Sequence, residues 1–164
     1  MILPLLHEVG ERWTRDEFTI AQEHAASAVV RGHLGDVLRT LEAPPGSPVA
    51  LSATPAGEQH EFGALLAGIV AGTQGFRVIY LGANVPAEDL ARAATDAKAR
   101  VALLSCVAMP AEACARELRE IRRVLPRTIA LIAGGAALRV PPPAGITAIA
   151  SLDELSGALT ALRT

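Results

Sequence analysis

From residue 48 onward, short apolar runs alternate with longer stretches of helical period. Residues 48–53, 77–81, 100–106, 128–133 and 146–150 read as strands, and residues 61–75, 86–98, 110–125 and 152–163 as helices. Only an irregular connection is left from 136 to 145, where Pro141-Pro142-Pro143 makes it rigid. Strands alternating with helices at this spacing imply a mainly parallel sheet covered on both faces. Right-handed crossovers then give a five-stranded, doubly wound α/β domain in flavodoxin-like, Rossmann-like order.

The first 43 residues follow a different pattern. Leu5, Leu6 and Val9 recur at helical spacing and stop near Trp13. Thr19-Ile20-Ala21-Gln22 has the form of a capping box opening a second helix to about Leu41. Val29, Val30, Leu34, Val37, Leu38 and Leu41 give that helix a 3.6-residue period. Ala43-Pro44-Pro45-Gly46-Ser47-Pro48 then forms a stiff linker. Two helices bury little alone, so residues 1–43 read as a partial helical bundle. It would pack on the second part, on another copy, or on helices outside this chain. Residues 48–164 form the α/β domain.

Composition narrows the classes. Five aromatic residues in 164 leave a core of Ala, Val, Leu and Ile, and make Trp13 conspicuous. The net charge of −2 comes with no dense basic stripe, which argues against a nucleic-acid surface. Arg116, Arg119, Arg122, Arg123 and Arg127 lie on and just after one helix, where a solvated face is the expectation. Some of them would also complement that helix's C-terminus. Cys106 and Cys114 form no C-x-x-C pair, and Cys106 in a strand reads as a small buried hydrophobe, which fits a reducing cytoplasm. No apolar run reaches the roughly 18 residues of a membrane span. The first residues lack the basic start of a signal peptide.

Candidate chemistry gathers at the strand ends, which in an open α/β sheet border the ligand crevice. Glu58-Gln59-His60-Glu61-Phe62-Gly63 places an imidazole on the first such loop. A lone loop histidine is more often a solvated or packed residue than a ligand. Here an acidic residue two positions earlier could hold one ring nitrogen and raise the basicity of the other. Thr54 follows the first strand, Leu81-Gly82 the second, Gly134-Gly135 the fourth and Ser151 the fifth, while Ser105-Cys106-Val107 closes the third. The Gly-Gly pair is either a tight turn or a place where a bulky group approaches the backbone. There is no P-loop, no G-x-G-x-x-G after the first strand, no nucleophile elbow and no Cys₂His₂ zinc spacing. Gly75 reads as a helix C-cap, and His7 and His33 as helix-surface residues.

The spacing Glu58-x-His60-x-x-Gly63, with Ser105-x-Val107 and Gly134-Gly135, resembles the cobalamin-binding signature of B12-dependent proteins. The resemblance implies that His60 replaces the cofactor's own base below cobalt. It makes Glu58 the residue that orients it, where many members have Asp. Ser105, Val107, Gly134 and Gly135 would frame the slot for the displaced nucleotide tail, although the pattern usually shows Leu at the position of Val107. Trp13, followed after nine residues by Glu23-His24, resembles the helical cap of the B12-dependent photoreceptor regulators, the CarH/LitR group. There the cap lies over the upper face of the cofactor, with the tryptophan against the adenosyl group.

Taken together, the resemblance implies a cobalamin-binding sensor module, binding adenosylcobalamin with its base off and His60 on. It would signal light or B12 status to a transcriptional regulator and would not itself be an enzyme. Cobalamin is the implied partner, with a homo-oligomer through the cap, no membrane, and DNA reached only through a domain absent from this chain. The alternative is a methyl-carrying corrinoid subunit of a methyltransferase. One departure stands out: regulators of this group carry a histidine after the cap tryptophan, and Thr14 occupies that place here.

Overall fold

A computed structural model describes residues 19–138 and 141–163. Trp13, Thr14 and His7 therefore lie outside the described residues. The chain divides into two compact units, residues 1–36 and 37–164, with the division inside the first described helix, α1 (Ile20–Thr40). Its start is a reciprocal capping box. The Thr19 amide donates to Gln22 Oε1 at 2.9 Å, and the Gln22 amide to Thr19 Oγ1 at 3.3 Å. Two orphan donors of the first turn are thereby satisfied.

In the second unit, β1 (Val49–Pro55), α2 (Phe62–Thr73), β2 (Arg77–Val85), α3 (Ala87–Asp96), β3 (Val101–Ser105), α4 (Ala111–Val124), β4 (Ala130–Gly134), β5 (Thr147–Ile149) and α5 (Leu152–Thr160) follow in order. The strands form one parallel sheet in the order β2-β1-β3-β4-β5, the doubly wound arrangement expected from the sequence. Its central strands are apolar at nearly every position because both faces are covered. Leu51, Ala53, Ala102, Leu104, Leu131 and Ala133 face α3 and α4, where Leu90, Ala94, Leu118 and Ile121 meet them. Ala50, Val101, Leu103 and Ile132 face α2 and α5, against Ala67, Ala71, Leu155 and Leu159. With aromatics scarce, close approach replaces bulk. A Cβ at Gly72 would lie 2.7 Å from Leu41 Cδ1. Gly75, with φ +84°, ends α2 as anticipated, its amide donating to the Gly72 carbonyl.

Two features depart from the sequence reading. The first two strands run on past Ala53 and Leu81, so Thr54 and Gly82 lie within strands and Gly134 is the last residue of its own. The pairing of β1 with β2 shifts register between Ser52 and Ala53 and again between Ala53 and Pro55. These bulges let the ladder continue through Gly82 (φ +90°) and Asn84 (φ +58°), residues that read as a turn. The second departure is Arg122, which is buried rather than part of a solvated face. After α4 the chain turns through Leu125 and Pro126, which brings several carbonyls together, that of Pro126 also accepting the Ile129 amide at 3.0 Å. The Arg122 guanidinium folds beneath them and donates to the carbonyls of Leu125, Pro126 and Ile129 at 2.6, 2.8 and 3.1 Å. Burial and the neighbouring Arg127 charge both lower its pKa. Cys106 and Cys114 are buried free thiols. Among the described residues no helix is long and apolar enough to cross a membrane.

Candidate functional site

The loop after β1 is built around Glu58, whose side chain is 1% exposed. Gly57 takes φ +86° and turns the chain back, so the Glu58 carboxylate enters the rim of the sheet. Oε1 accepts the backbone N–H of His60 at 2.9 Å and faces the ring nitrogen Nδ1 of His60 at 2.7 Å. Oε2 accepts three consecutive backbone amides from the loop after β3: Val107 and Ala108, both at 2.7 Å, and Met109 at 3.1 Å. Burial raises the pKa of this carboxyl. The amides of His60 and Ala108, the His60 ring and the Val107 amide outweigh that effect and hold it at about 2. It is a carboxylate at any ordinary pH. With its hydrogen on Nδ1 toward this anion, His60 is left with the Nε2 lone pair, on a side chain that is 62% exposed.

The same loop is tied to the edge of the sheet. Thr54, fully buried, donates its hydroxyl to the Glu58 carbonyl at 2.6 Å and accepts the Asn84 amide at 2.9 Å. Both hydroxyl functions are thus engaged inside the protein. Thr54 supports the loop and is not on the crevice surface where the sequence reading put it. Tyr80 on β2 donates to the Glu61 carboxylate.

Small residues shape the remaining rim. A Cβ at Gly63 would stand 2.2 Å from Ser105 Oγ, so this glycine lets the start of α2 press against the end of β3. Gly82 has open space where a Cβ would project, beside half-buried Leu81. Val107 is an exposed apolar side chain on the loop whose amides bind Glu58. Gly134 and Gly135 meet a requirement within the fold itself. A Cβ on the first would approach Ile149 Cγ1 to 2.9 Å, and one on the second the Cys106 carbonyl oxygen to 2.2 Å. Gly135 also has φ +112°. Ser151 caps α5: its Oγ accepts the Glu154 amide at 3.1 Å, while Glu154 accepts the Ala150 amide at 2.8 Å. In the first unit, Glu23 and His24 lie in the opening turn of α1. Glu23 accepts from Ser27 at 2.9 Å and pairs with His24 Nδ1 at 2.9 Å.

The structure thus brings Glu58, His60, Gly63, Ser105, Val107, Gly134, Gly135 and Ser151 to the carboxyl ends of parallel strands. Sequence reasoning missed the amides of 107–109 and the loop-binding role of Asn84. The first carry no side-chain signal, and the second is an asparagine in a stretch that reads as a turn.

Among the described residues no three His, Cys, Asp or Glu side chains are grouped to hold a bare metal ion. A single exposed imidazole braced by a carboxylate suits a metal that brings its own equatorial ligands, as corrin cobalt does. The donor set fits that group.

Comparison with known proteins bears on the same residues. The B12 binding domain family matches residues 48–160, and a second family of that description matches residues 1–35. The HTH-type transcriptional repressor CarH of Myxococcus xanthus is 39% identical over 140 residues, which is 85% of this chain and 46% of that protein. The repressor CarA of the same organism is 42% identical over 106 residues, 65% of this chain and 35% of its own length. The chain therefore spans less than half the length of these relatives. Among solved structures, the monomethylamine corrinoid protein of Methanosarcina barkeri superposes with a TM-score of 0.66 at 17% identity, covering 95% of this chain and 77% of that one, a likeness of fold. Because the family match takes in every rim residue from Glu58 to Ser151 and more than half of the sequence, the chain belongs to the B12 binding domain family.

Proposed function

We propose that the chain is the cobalamin-sensing part of a transcriptional regulator, with adenosylcobalamin as the preferred form. The observation that carries this reading is the His60–Glu58 pair: one ring nitrogen held by a buried carboxylate, the other free on the rim. In this reading His60 Nε2 is the protein's ligand to cobalt, and Glu58 fixes its tautomer and direction. Ser105, Val107, Gly134, Gly135, Leu81, Gly82 and Ser151 shape the space for the nucleotide tail. Trp13, Glu23 and His24 are assigned to the adenosyl group on their W-x9-E-H spacing.

When bound, the cofactor supplies a cobalt–carbon bond that light or homolysis can break. The protein binds it, orients it and shields it. Residues 1–43 would lose contacts when the adenosyl group departs, which biases their packing or self-association and gives a regulator its two states. Identity of 39–42% to two repressors supports a regulatory role over the methyl-carrying corrinoid subunit, for which only a likeness of fold speaks.

Absorption spectra of protein mixed with adenosylcobalamin, in the dark and after green light, test the reading. A base-off spectrum with a nitrogen ligand from the protein, lost in His60→Ala, is expected. Failure to bind any cobalamin overturns it. Tighter binding of methylcobalamin than of adenosylcobalamin moves the methyltransferase reading ahead.

A further inference from the structure

We infer that Asn84 is a positioning residue for His60, acting from the neighbouring strand through the backbone of Gly57 and Glu58; this rests on the reading of His60 as the cobalt ligand. Between Ala53 and Pro55 the ladder sets one residue of β1, Thr54, against two of β2, Ala83 and Asn84. The extra residue puts Asn84 at φ +58°, a left-handed conformation that asparagine tolerates better than most side chains. There its side chain and its backbone both reach the His60 loop. Oδ1 accepts the Gly57 amide at 2.8 Å. Its own N–H points at two acceptors, Thr54 Oγ1 at 2.9 Å and the Glu58 carbonyl at 3.0 Å.

These contacts bracket the Gly57–Glu58 peptide from both ends. The peptide in turn decides where the Glu58 carboxylate sits, and the carboxylate decides where His60 points. Three strand ends thereby converge on one residue: the loop after β1 carries Glu58, β2 grips its backbone through Asn84, and the loop after β3 grips its side chain. The Thr54 hydroxyl lies between the two backbone groups and joins them, donating to one and accepting from the other. An asparagine is suited to the post because two demands meet there. The backbone must be left-handed, and an acceptor must project two bonds beyond Cβ. Glycine meets only the first demand, alanine neither, and aspartate both.

Three variants separate the demands: Asn84→Gly, Asn84→Ala and Asn84→Asp. In the protein without cofactor, amide hydrogen exchange at Gly57 and His60 should quicken in Asn84→Gly. The loss of one hydrogen bond corresponds to about twofold to tenfold. Asn84→Ala should quicken it further, and Asn84→Asp should restore wild-type rates. With cofactor, Asn84→Gly should weaken cobalamin binding by about the same factor and reduce the nitrogen-ligated fraction of the spectrum. In a His60→Ala background the same substitution should weaken binding no further, since there is no imidazole left to position. An unmoved His60 amide in Asn84→Gly, or additive losses with His60→Ala, overturns the inference. If wild type binds no cobalamin, or His60→Ala leaves affinity unchanged, the functional reading fails. The exchange measurements still decide whether Asn84 holds the loop.

Discussion

Replacing Glu58 by glutamine tests the centre of the site with a change of only one atom. The carboxylate faces five donors, two on Oε1 and three on Oε2. Glutamine keeps one acceptor oxygen and turns an NH₂ toward the other set. The oxygen should stay with the three amides of 107–109, so the NH₂ faces His60. The ring must then accept at Nδ1, which moves its hydrogen to Nε2 and blocks the lone pair needed for a metal. The backbone amide of His60 loses its acceptor as well. Two effects of different kind follow. Cobalamin binding should fall by roughly 10–100-fold, the usual cost of losing the partner behind a metal-bound histidine. Stability should fall even without cofactor. Holding the carboxyl at about 2 instead of 4.5 corresponds to roughly 3 kcal/mol of native-state stabilisation.

The pH dependence gives the sign. A carboxyl depressed by folding stabilises fully above its unfolded pKa, and that stability drains away as pH falls toward its folded one. Urea unfolding of the cofactor-free protein should therefore show a gap of about 3 kcal/mol between wild type and Glu58→Gln at pH 7, shrinking to about half at pH 3. For a chain of this size the gap at neutral pH should appear as a melting point lower by roughly 6–12 °C. A gap below about 0.5 kcal/mol at pH 7, or one that does not narrow in acid, refutes the reasoning. Nitrogen NMR of His60 showing its hydrogen on Nε2 in the wild type would do the same for the tautomer argument.

Other outcomes follow from the same residues. His60→Ala should weaken cobalamin binding by at least the roughly 10–100-fold expected of Glu58→Gln and leave a base-on or water-ligated spectrum, read by titration and absorption. Trp13→Ala should weaken adenosylcobalamin more than hydroxocobalamin; equal losses in paired titrations would make Trp13 plain core. With threonine at position 14, the illuminated protein should carry water above cobalt, or His24 if the cap rearranges, and take up added cyanide readily. Thr14→His should slow that exchange, and a stable two-nitrogen photoproduct in wild type that survives His24→Ala would contradict the assignment. Gly63→Ala should cost about 1–3 kcal/mol of stability by overpacking. Ser105→Ala should recover only part of it, since the Ser105 Cβ would still lie 3.1 Å from the new methyl.

What could be read from the sequence and what could not divide along physical lines. The sheet order and the helices were legible because hydrophobic period and spacing express burial directly. The pairing of Glu58 with His60 was legible because both partners are side chains two residues apart. The other half of the Glu58 site was not. Its partners are main-chain amides 49 to 51 residues away, and any residue but proline presents the same N–H. Gly82 and Asn84 have the composition of a turn, yet cross-strand pairing makes them bulges inside a strand. Ser151 reads as a rim residue after the last strand, and in the structure its Oγ caps α5 by accepting the Glu154 amide. Arg122 belongs to a run of arginines that look alike in sequence. Only the carbonyls exposed by the turn at Pro126 distinguish it.

The glycine pair at the end of β4 changes how mutational surveys of this domain should be interpreted. Gly134 is hemmed in by Ile149 and Gly135 by the Cys106 carbonyl, so neither leaves room for a methyl group. A library screened for cofactor-dependent output would score both positions as intolerant, and a map coloured by that score would extend the ligand footprint over them. Screened for abundance alone, with no vitamin supplied, the same two positions should already be depleted. His60 should not be, since its ring is largely exposed. Running the two screens side by side would sort this signature into letters that the fold demands and letters that the ligand demands.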